Sequence, residues 1–370
     1  MYTEADIESA IAAGALPPDA ADRLRRHVAG EQASPAVDEE HFRLLTGFND
    51  IFVTIAIVLL LSALSWVGTA FGVGSDRNIP SSFGALFVAA ASWGLSEFFT
   101  RKRRMALPSI VLLLAFVGSV FAASGLTIVN LLALAGDGPQ GGLTGNRGFS
   151  EAIGGVLLAI CAAITVGAAW LHWRRFRVPI TVAAGAVTLV AGVVGLVLAI
   201  APDTRDYVLP LVFIGGLALF ALAMWWDMSD RERVTRRSDV AFWLHLAAAP
   251  MIAHSVFNGL GVFGGMVNVG TATGVIALYV LFAIVALAID RRALLVSSLV
   301  YVLYAMRSLF ETFGAIELNF ALTGLVIGSA LLLLSAFWHP IRRAIVGPLP
   351  ANARRYLPVL ERSATPQPAS

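Results

Sequence analysis

Between residues 50 and 338 the chain alternates long apolar runs with short polar stretches. The runs fall at 50–73, 81–100, 107–134, 150–172, 178–201, 207–227, 239–262, 272–289, 293–314 and 318–338. Each is close to the roughly 20 residues that a helix needs to cross the hydrocarbon core of a bilayer. They are continuous rather than alternating apolar with polar residues, which predicts helices and argues against a barrel. The pattern therefore predicts an all-α fold, an integral membrane helical bundle of ten transmembrane helices over 50–338. The third run is the longest and contains Gly125, where a tilt or a break is expected.

Residues 1–30 have a different pattern, with sparse apolar positions at Ile7, Ile11, Leu16, Leu24 and Val28. Thr3 and Asp6 can cap a first helix through "TEADIESAIAA", Gly14 ends it, and "PPDAADRLRRHVAG" starts a second with proline in its first turn. Five apolar side chains are too few for an independent core. This small cytoplasmic helical hairpin is expected to lean on the membrane domain, a second copy or a protein partner. Residues 31–49 read as a linker and an interfacial helix, and 339–370 as a cytoplasmic tail ending in the polar "RSATPQPAS". The first apolar run follows a charged leader, so no cleavable signal peptide is expected and the first span acts as its own insertion signal.

Composition agrees with the apolar pattern. Hydrophobic residues make up 58% and charged residues 14%, against about 25% charged in an average soluble domain. The net charge of +2 is small, but its distribution is decisive. With the N-terminus placed in the cytoplasm, 22 of the 26 basic residues fall on the inner side: Arg101 to Arg104, Arg174, Arg175, Arg177, Arg231, Arg233, Arg236, Arg237, Arg291, Arg292 and those flanking the first and last spans. Only Arg77, Arg147 and Arg205 fall outside. That alternation predicts both termini in the cytoplasm, and Trp170, Trp173, Trp225, Trp226, Trp243 and Trp338 sit at the inner ends of their runs as an aromatic belt would.

Several function classes lose support at this point. The glycine-rich "GDGPQGGLTGNRG" at 136–148 lacks the Gly-Lys-Ser/Thr ending of a phosphate loop and reads as an external loop. No second histidine or cysteine lies within a turn of His245 or His254, so no metal site is expected, and no cofactor. Cys161 is the single cysteine. The arginine runs read as topology determinants at lipid headgroups rather than nucleic-acid contacts. No paired carboxylates or nucleophile with a base suggest an enzyme, and no catalytic residue is assigned.

The remaining basic residue, Arg307, lies inside the ninth run, where a charge costs at least about 2.5 kcal/mol and is expected to face other helices. Glu311 lies one turn on, and Ser297, Tyr301, Tyr304, Ser308 and Glu311 make a polar stripe on one side of that helix. In the seventh run His254 and Asn258 share a face at the same spacing. Counted from the inner ends, His254 matches Arg307 in depth and Asn258 matches Glu311. His254, Asn258, Arg307, Glu311 and Tyr304 are thus the candidate substrate or proton site if the two helices touch, or a static polar knot joining them. His245 falls on the other face near the inner surface, where an interfacial role is expected, and Asp290 with Arg291 reads as an interface and capping pair. Pro250 removes one backbone hydrogen bond and favours a kink.

The opening hairpin, with "AAGALPPDAADRL" at its turn, resembles a bacterial family of multi-span membrane proteins of no assigned activity that begin with such a hairpin. The resemblance implies the bacterial inner membrane and transfers no site. Ten spans with both ends inside also resemble the layout of drug and metabolite transporters, by topology alone. Two functions follow as expectations: a small-solute or ion transporter with its polar site between the seventh and ninth spans, or a non-transporting scaffold or sensor whose hairpin binds a partner.

Overall fold

A computed structural model of the chain describes residues 4–24, 48–71, 82–134, 147–231, 233, 235–261, 269–312 and 319–360. It divides into two units, residues 1–43 with 361–370, and residues 44–360. In the first unit α1 spans Glu4–Ala12 and α2 residues 18–24, separated by a turn in which Gly14 takes φ +70°. Thr3, the expected cap, lies outside the described residues.

The second unit is helical throughout its described residues: α3 Phe48–Thr69, α4 Ser82–Ser96 continued as one π-helical turn Glu97–Lys102, α5 Ala106–Leu134, α6 Arg147–Phe176, α7 Ile180–Ile200, a 3-10 turn Pro202–Tyr207, α8 Val208–Met228, α9 Arg236–Gly259, α10 Val269–Ile289, α11 Ala293–Thr312, α12 Asn319–Ala336, α13 Trp338–Val346 and α14 Ala351–Arg354. The helices α3 to α10 are long and apolar enough to cross a membrane, which makes eight among the described residues. A ninth arises only if α12 and α13, bent by 72° at their junction, form one span. In α11 the apolar stretch Ala293–Tyr304 is the part that falls within the described residues. The ten apolar runs thus correspond to α3 to α12, of which eight meet the length criterion singly. α5 runs through Gly125, and α9 runs through Pro250, with no break in either helix.

Chain neighbours pair as antiparallel hairpins, α4 with α5, α6 with α7, α8 with α9 and α10 with α11. α9 also packs on α7 and α11, and its Ala248, Ala249, Ala253 and Phe257 are fully buried. Small side chains on this face let the backbones approach, as interfaces between apolar helices require. The same device holds α6 against α7, where a Cβ on Gly155 would lie 2.5 Å from the Gly195 carbonyl oxygen.

Four of these hairpins turn in the same way. Arg104, Arg177, Arg233 and Asp290 lie just beyond the C-terminal ends of the π turn, α6, α8 and α10, and each takes φ between 53° and 57°. A left-handed residue there lets the following N–H reach back to an orphan carbonyl, as Arg291 N does to Ala286 O at 2.9 Å. These turns gather at one end. Arg175 reaches across to Glu97, Arg233 to Asp290, and Trp173, Ala183, Ala223, Trp226 and Val240 cluster between the second and third turns. The arginine-rich connections of the sequence therefore share one end of the bundle.

Candidate functional site

The structure brings part of the sequence-predicted site together. α9 and α11 are neighbours, and His254 Nδ1 lies 2.9 Å from the Tyr301 hydroxyl, whose ring stacks on Phe257 at 4.6 Å. His254, Tyr304 and Arg307 are exposed at the bundle surface, while Asn258 is half-buried. Tyr304 follows Tyr301 by one turn, and Arg307 shares the outer face of α11 with Val296 and Val300. The side chain of Glu311, and with it the pairing expected with Arg307, lies outside the described residues. Three of the cavities among the described residues are lined by Arg231, Arg292 and residues of α11 to α14 and 355–360, and none of these three has His254, Asn258, Tyr304 or Arg307 in its wall.

The denser constellation lies at the arginine-rich end, where the sequence suggests an interfacial role for His245 and a capping pair in Asp290 and Arg291. Asp227, in the last turn of α8, has its side chain 1% exposed. Its Oδ1 accepts from Arg291 Nη2 at 2.7 Å, and its Oδ2 lies 3.0 Å from His245 Nε2. A carboxylate only accepts, so Nε2 carries the proton of the imidazole in this pair. Arg291 also donates to the backbone carbonyl and hydroxyl of Ser238 at 3.1 and 3.3 Å, which ties the starts of α9 and α11 to the end of α8. Phe220 packs edge-on against His245 at 5.1 Å, and Phe242 lies under the Arg291 guanidinium at 5.9 Å. His245 is thus a core residue rather than an interfacial one. Its face of α9, opposite that of His254, meets Asp227 and Phe220 of α8 rather than headgroups.

Asp290 anchors the adjoining half. Its Oδ2 accepts from Arg233 Nη1 at 3.0 Å and its Oδ1 from Trp338 Nε1 at 2.8 Å, with Arg342 Nε 3.7 Å away. Arg233 adds bonds to the carbonyls of Ile289 and Asp290. Asp290 is thus the centre of a buried network, not a surface cap. Asp230 accepts from the backbone N–H and hydroxyl of Thr235, closing the turn before α9. The formal charges of Asp227, Asp230 and Asp290 balance those of Arg233, Arg291 and Arg342, all six buried or nearly so. Neutrality of the cluster lets it sit where no single charge is tolerated.

Residues 338–360 close over this end instead of trailing from it. Arg342 donates to the carbonyls of Pro358 and Val359 at 2.9 and 3.2 Å, and Arg231 to those of Leu357 and Arg354 at 3.0 and 3.1 Å. Two arginines that the positive-inside rule accounts for by charge alone thus act as clamps on main-chain oxygens.

A second buried imidazole, His172, is ringed by Trp93, Phe116 and Phe176 at 4.6–6.0 Å and lies 3.5 Å from the Thr181 hydroxyl. Among the described residues no three histidine, cysteine, aspartate or glutamate side chains converge to hold a metal ion. The clue that was present in sequence is positional: three aspartates, Asp227, Asp230 and Asp290, stand at the arginine-rich ends of apolar runs. Set against known proteins, the chain has no matching family model, no matching curated protein and no matching solved structure.

Proposed function

We propose that this chain is a multi-pass protein of the bacterial inner membrane, with both termini in the cytoplasm, that moves a small solute or ion between α9 and α11. The buried network of Asp227, His245, Arg291 and Asp290 closes the cytoplasmic end of that route, and His254, Asn258, Tyr304 and Arg307 face the solute in the outer half. The observation that carries this reading is the buried, charge-balanced network itself. A buried ion pair adds little stability over apolar packing, whereas ionisable groups at membrane depth usually serve passage of charge or solute. The network can also act as a switch: protonation of His245 adds one positive charge beside Arg291 and favours its opening.

A substrate-independent test is thiol accessibility. With Cys161→Ser as background, Asn258→Cys is expected to react with a membrane-impermeant maleimide from the periplasmic side, and additionally from the cytoplasmic side once Arg291→Gln loosens the inner network. A thiol at 258 that stays unreactive from both sides in both backgrounds sinks the transport reading. The second reading is a scaffold or sensor whose hairpin α1–α2 engages a protein partner. It predicts that unreactive outcome.

A further inference from the structure

The chain beyond α13 is tied to the bundle by guanidinium groups on neutral oxygens. Arg231 donates from Nε and Nη2 to the carbonyls of Leu357 and Arg354, and Arg342 to those of Val359 and Pro358. A carbonyl takes up the hydrogen bond without compensating the charge. Arg342 has Asp290 at 3.7 Å to do so, whereas Arg231 meets no carboxylate among the described residues.

Between this segment and the bundle lies a cleft of about 350 Å³. Arg231 and Val346 line it on one side, and Arg354, Arg355, Pro358 and Leu360 on the other. All three arginines have N–H groups left over. Arg231 keeps Nη1 beyond its two carbonyl bonds, and Arg355 lies over the Tyr356 ring at 4.6 Å and gives only Nη2 to its hydroxyl. The exposed guanidinium of Arg354 enters no bond or ion pair among the described residues. Like charges gathered around one cleft repel each other, and its apolar walls concentrate their field.

An anion relieves that repulsion, and the number and type of donors select among anions. A carboxylate offers two coplanar oxygens, which one guanidinium already satisfies, whereas a phosphate offers three strong acceptor oxygens and a charge close to −2. The cleft holds the volume of about a dozen waters at about 30 Å³ each, more than a phosphate alone requires. The apolar Val346, Pro358 and Leu360 suit an organic part behind it. We propose that this cleft binds a phosphomonoester, with its phosphate between Arg231, Arg354 and Arg355 and its organic part against the apolar wall. Such a ligand bridges the C-terminal segment to the end of α8, adding to the two carbonyl bonds of Arg231. The chemistry is shared by soluble phosphate esters and by the headgroup of phosphatidic acid. The site lies apart from α9 and α11 and does not rest on the chain transporting anything.

The experiment uses the purified full-length protein and has one arm for each source. Phenyl phosphate is titrated by calorimetry into protein in neutral detergent, and phosphatidic acid is offered in phosphatidylcholine nanodiscs, with retained lipid read by native mass spectrometry. One phenyl phosphate bound per chain assigns a soluble ligand, and preferential retention of phosphatidic acid assigns a lipid; either upholds the site. In the arm that binds, Arg354→Gln and Arg355→Gln, both at exposed positions, are each expected to weaken binding about ten-fold, as loss of one charge-assisted contact does. Ala351→Trp, which narrows the cleft and keeps its three arginines, is expected to weaken it as well. Arg237→Gln, exposed at the start of α9 and outside the cleft wall, is expected to change nothing. Failure of both probes to bind, benzoate binding as tightly as phenyl phosphate, or equal loss in Arg237→Gln and Arg354→Gln overturns the proposal.

Discussion

Three of the four turns at the arginine-rich end offer a direct comparison. After the left-handed residues Arg104 and Arg177 the chain buries Met105 and Val178, whereas after Asp290 it buries Arg291, only 2% exposed. The position beyond a left-handed cap normally carries an apolar side chain that packs back on the helix. In the α10–α11 turn the charges are exchanged: the acid takes the strained position and the base takes the buried one. Each then finds a partner across the bundle, Asp290 with Arg233 and Arg291 with Asp227. The backbone device is the same, and only the third of these turns has been given over to an ion network.

The largest expected effect comes from breaking that network on one side. Asp227→Ala leaves Arg291 and His245 buried without their carboxylate and should destabilise the protein by about 3–5 kcal/mol in reversible unfolding from detergent. Asp227→Leu combined with Arg291→Met rebuilds the turn on the pattern of Met105, and should recover most of that loss because a well-packed apolar pair replaces an ion pair at little cost. If the single and the double variant unfold alike, the network is not what distinguishes this turn. Under the proposed function the double variant is stable yet loses the switch.

The next effect concerns the left-handed residues themselves. A side chain at φ near +55° costs about 1 kcal/mol relative to glycine, less for aspartate. Arg177→Gly should therefore stabilise the fold by up to about 1 kcal/mol, since the residue buried after it is the apolar Val178. Asp290→Gly relieves the same strain but strips Arg233 and Trp338 of their acceptor, and should destabilise it. Opposite signs in the unfolding midpoints of the two variants are the result that upholds the distinction; equal signs remove it.

How much of this could be read in the sequence follows from what each signal depends on. The helices and their common arginine-rich end were legible because hydropathy and charge are local sums over a window. Matched depth left open whether α9 and α11 are neighbours, and in the fold His254 reaches α11 at Tyr301. The network was not legible, since Asp227 lies on α8, Asp290 and Arg291 in the α10–α11 turn and Trp338 on α13, and their convergence is a property of packing, not of spacing. His245 was misplaced for the same reason. Depth along a helix follows from counting residues, but the neighbour that covers a face does not. Likewise Arg231 and Arg342 satisfy a charge rule so well that nothing in the sequence marks them as clamps on the C-terminal segment.

The smallest effect is also the sharpest control. Glu97 at the π turn accepts two bonds from Arg175 and one from Arg101, so by count of contacts it equals Asp227. Its side chain is 33% exposed, however, against 1% for Asp227, and water and ions reach it. Glu97→Gln should therefore shift the unfolding midpoint only slightly, and the shift should vanish in about 1 M salt, where the screening length falls to about 3 Å. The loss in Asp227→Ala should persist at the same salt, because ions do not enter a cluster from which water is excluded. Salt dependence thus separates two acid–arginine contacts of nearly equal geometry, and an Asp227 effect that salt erased would mean that the inner end is open to solvent and cannot be the closed side of a passage.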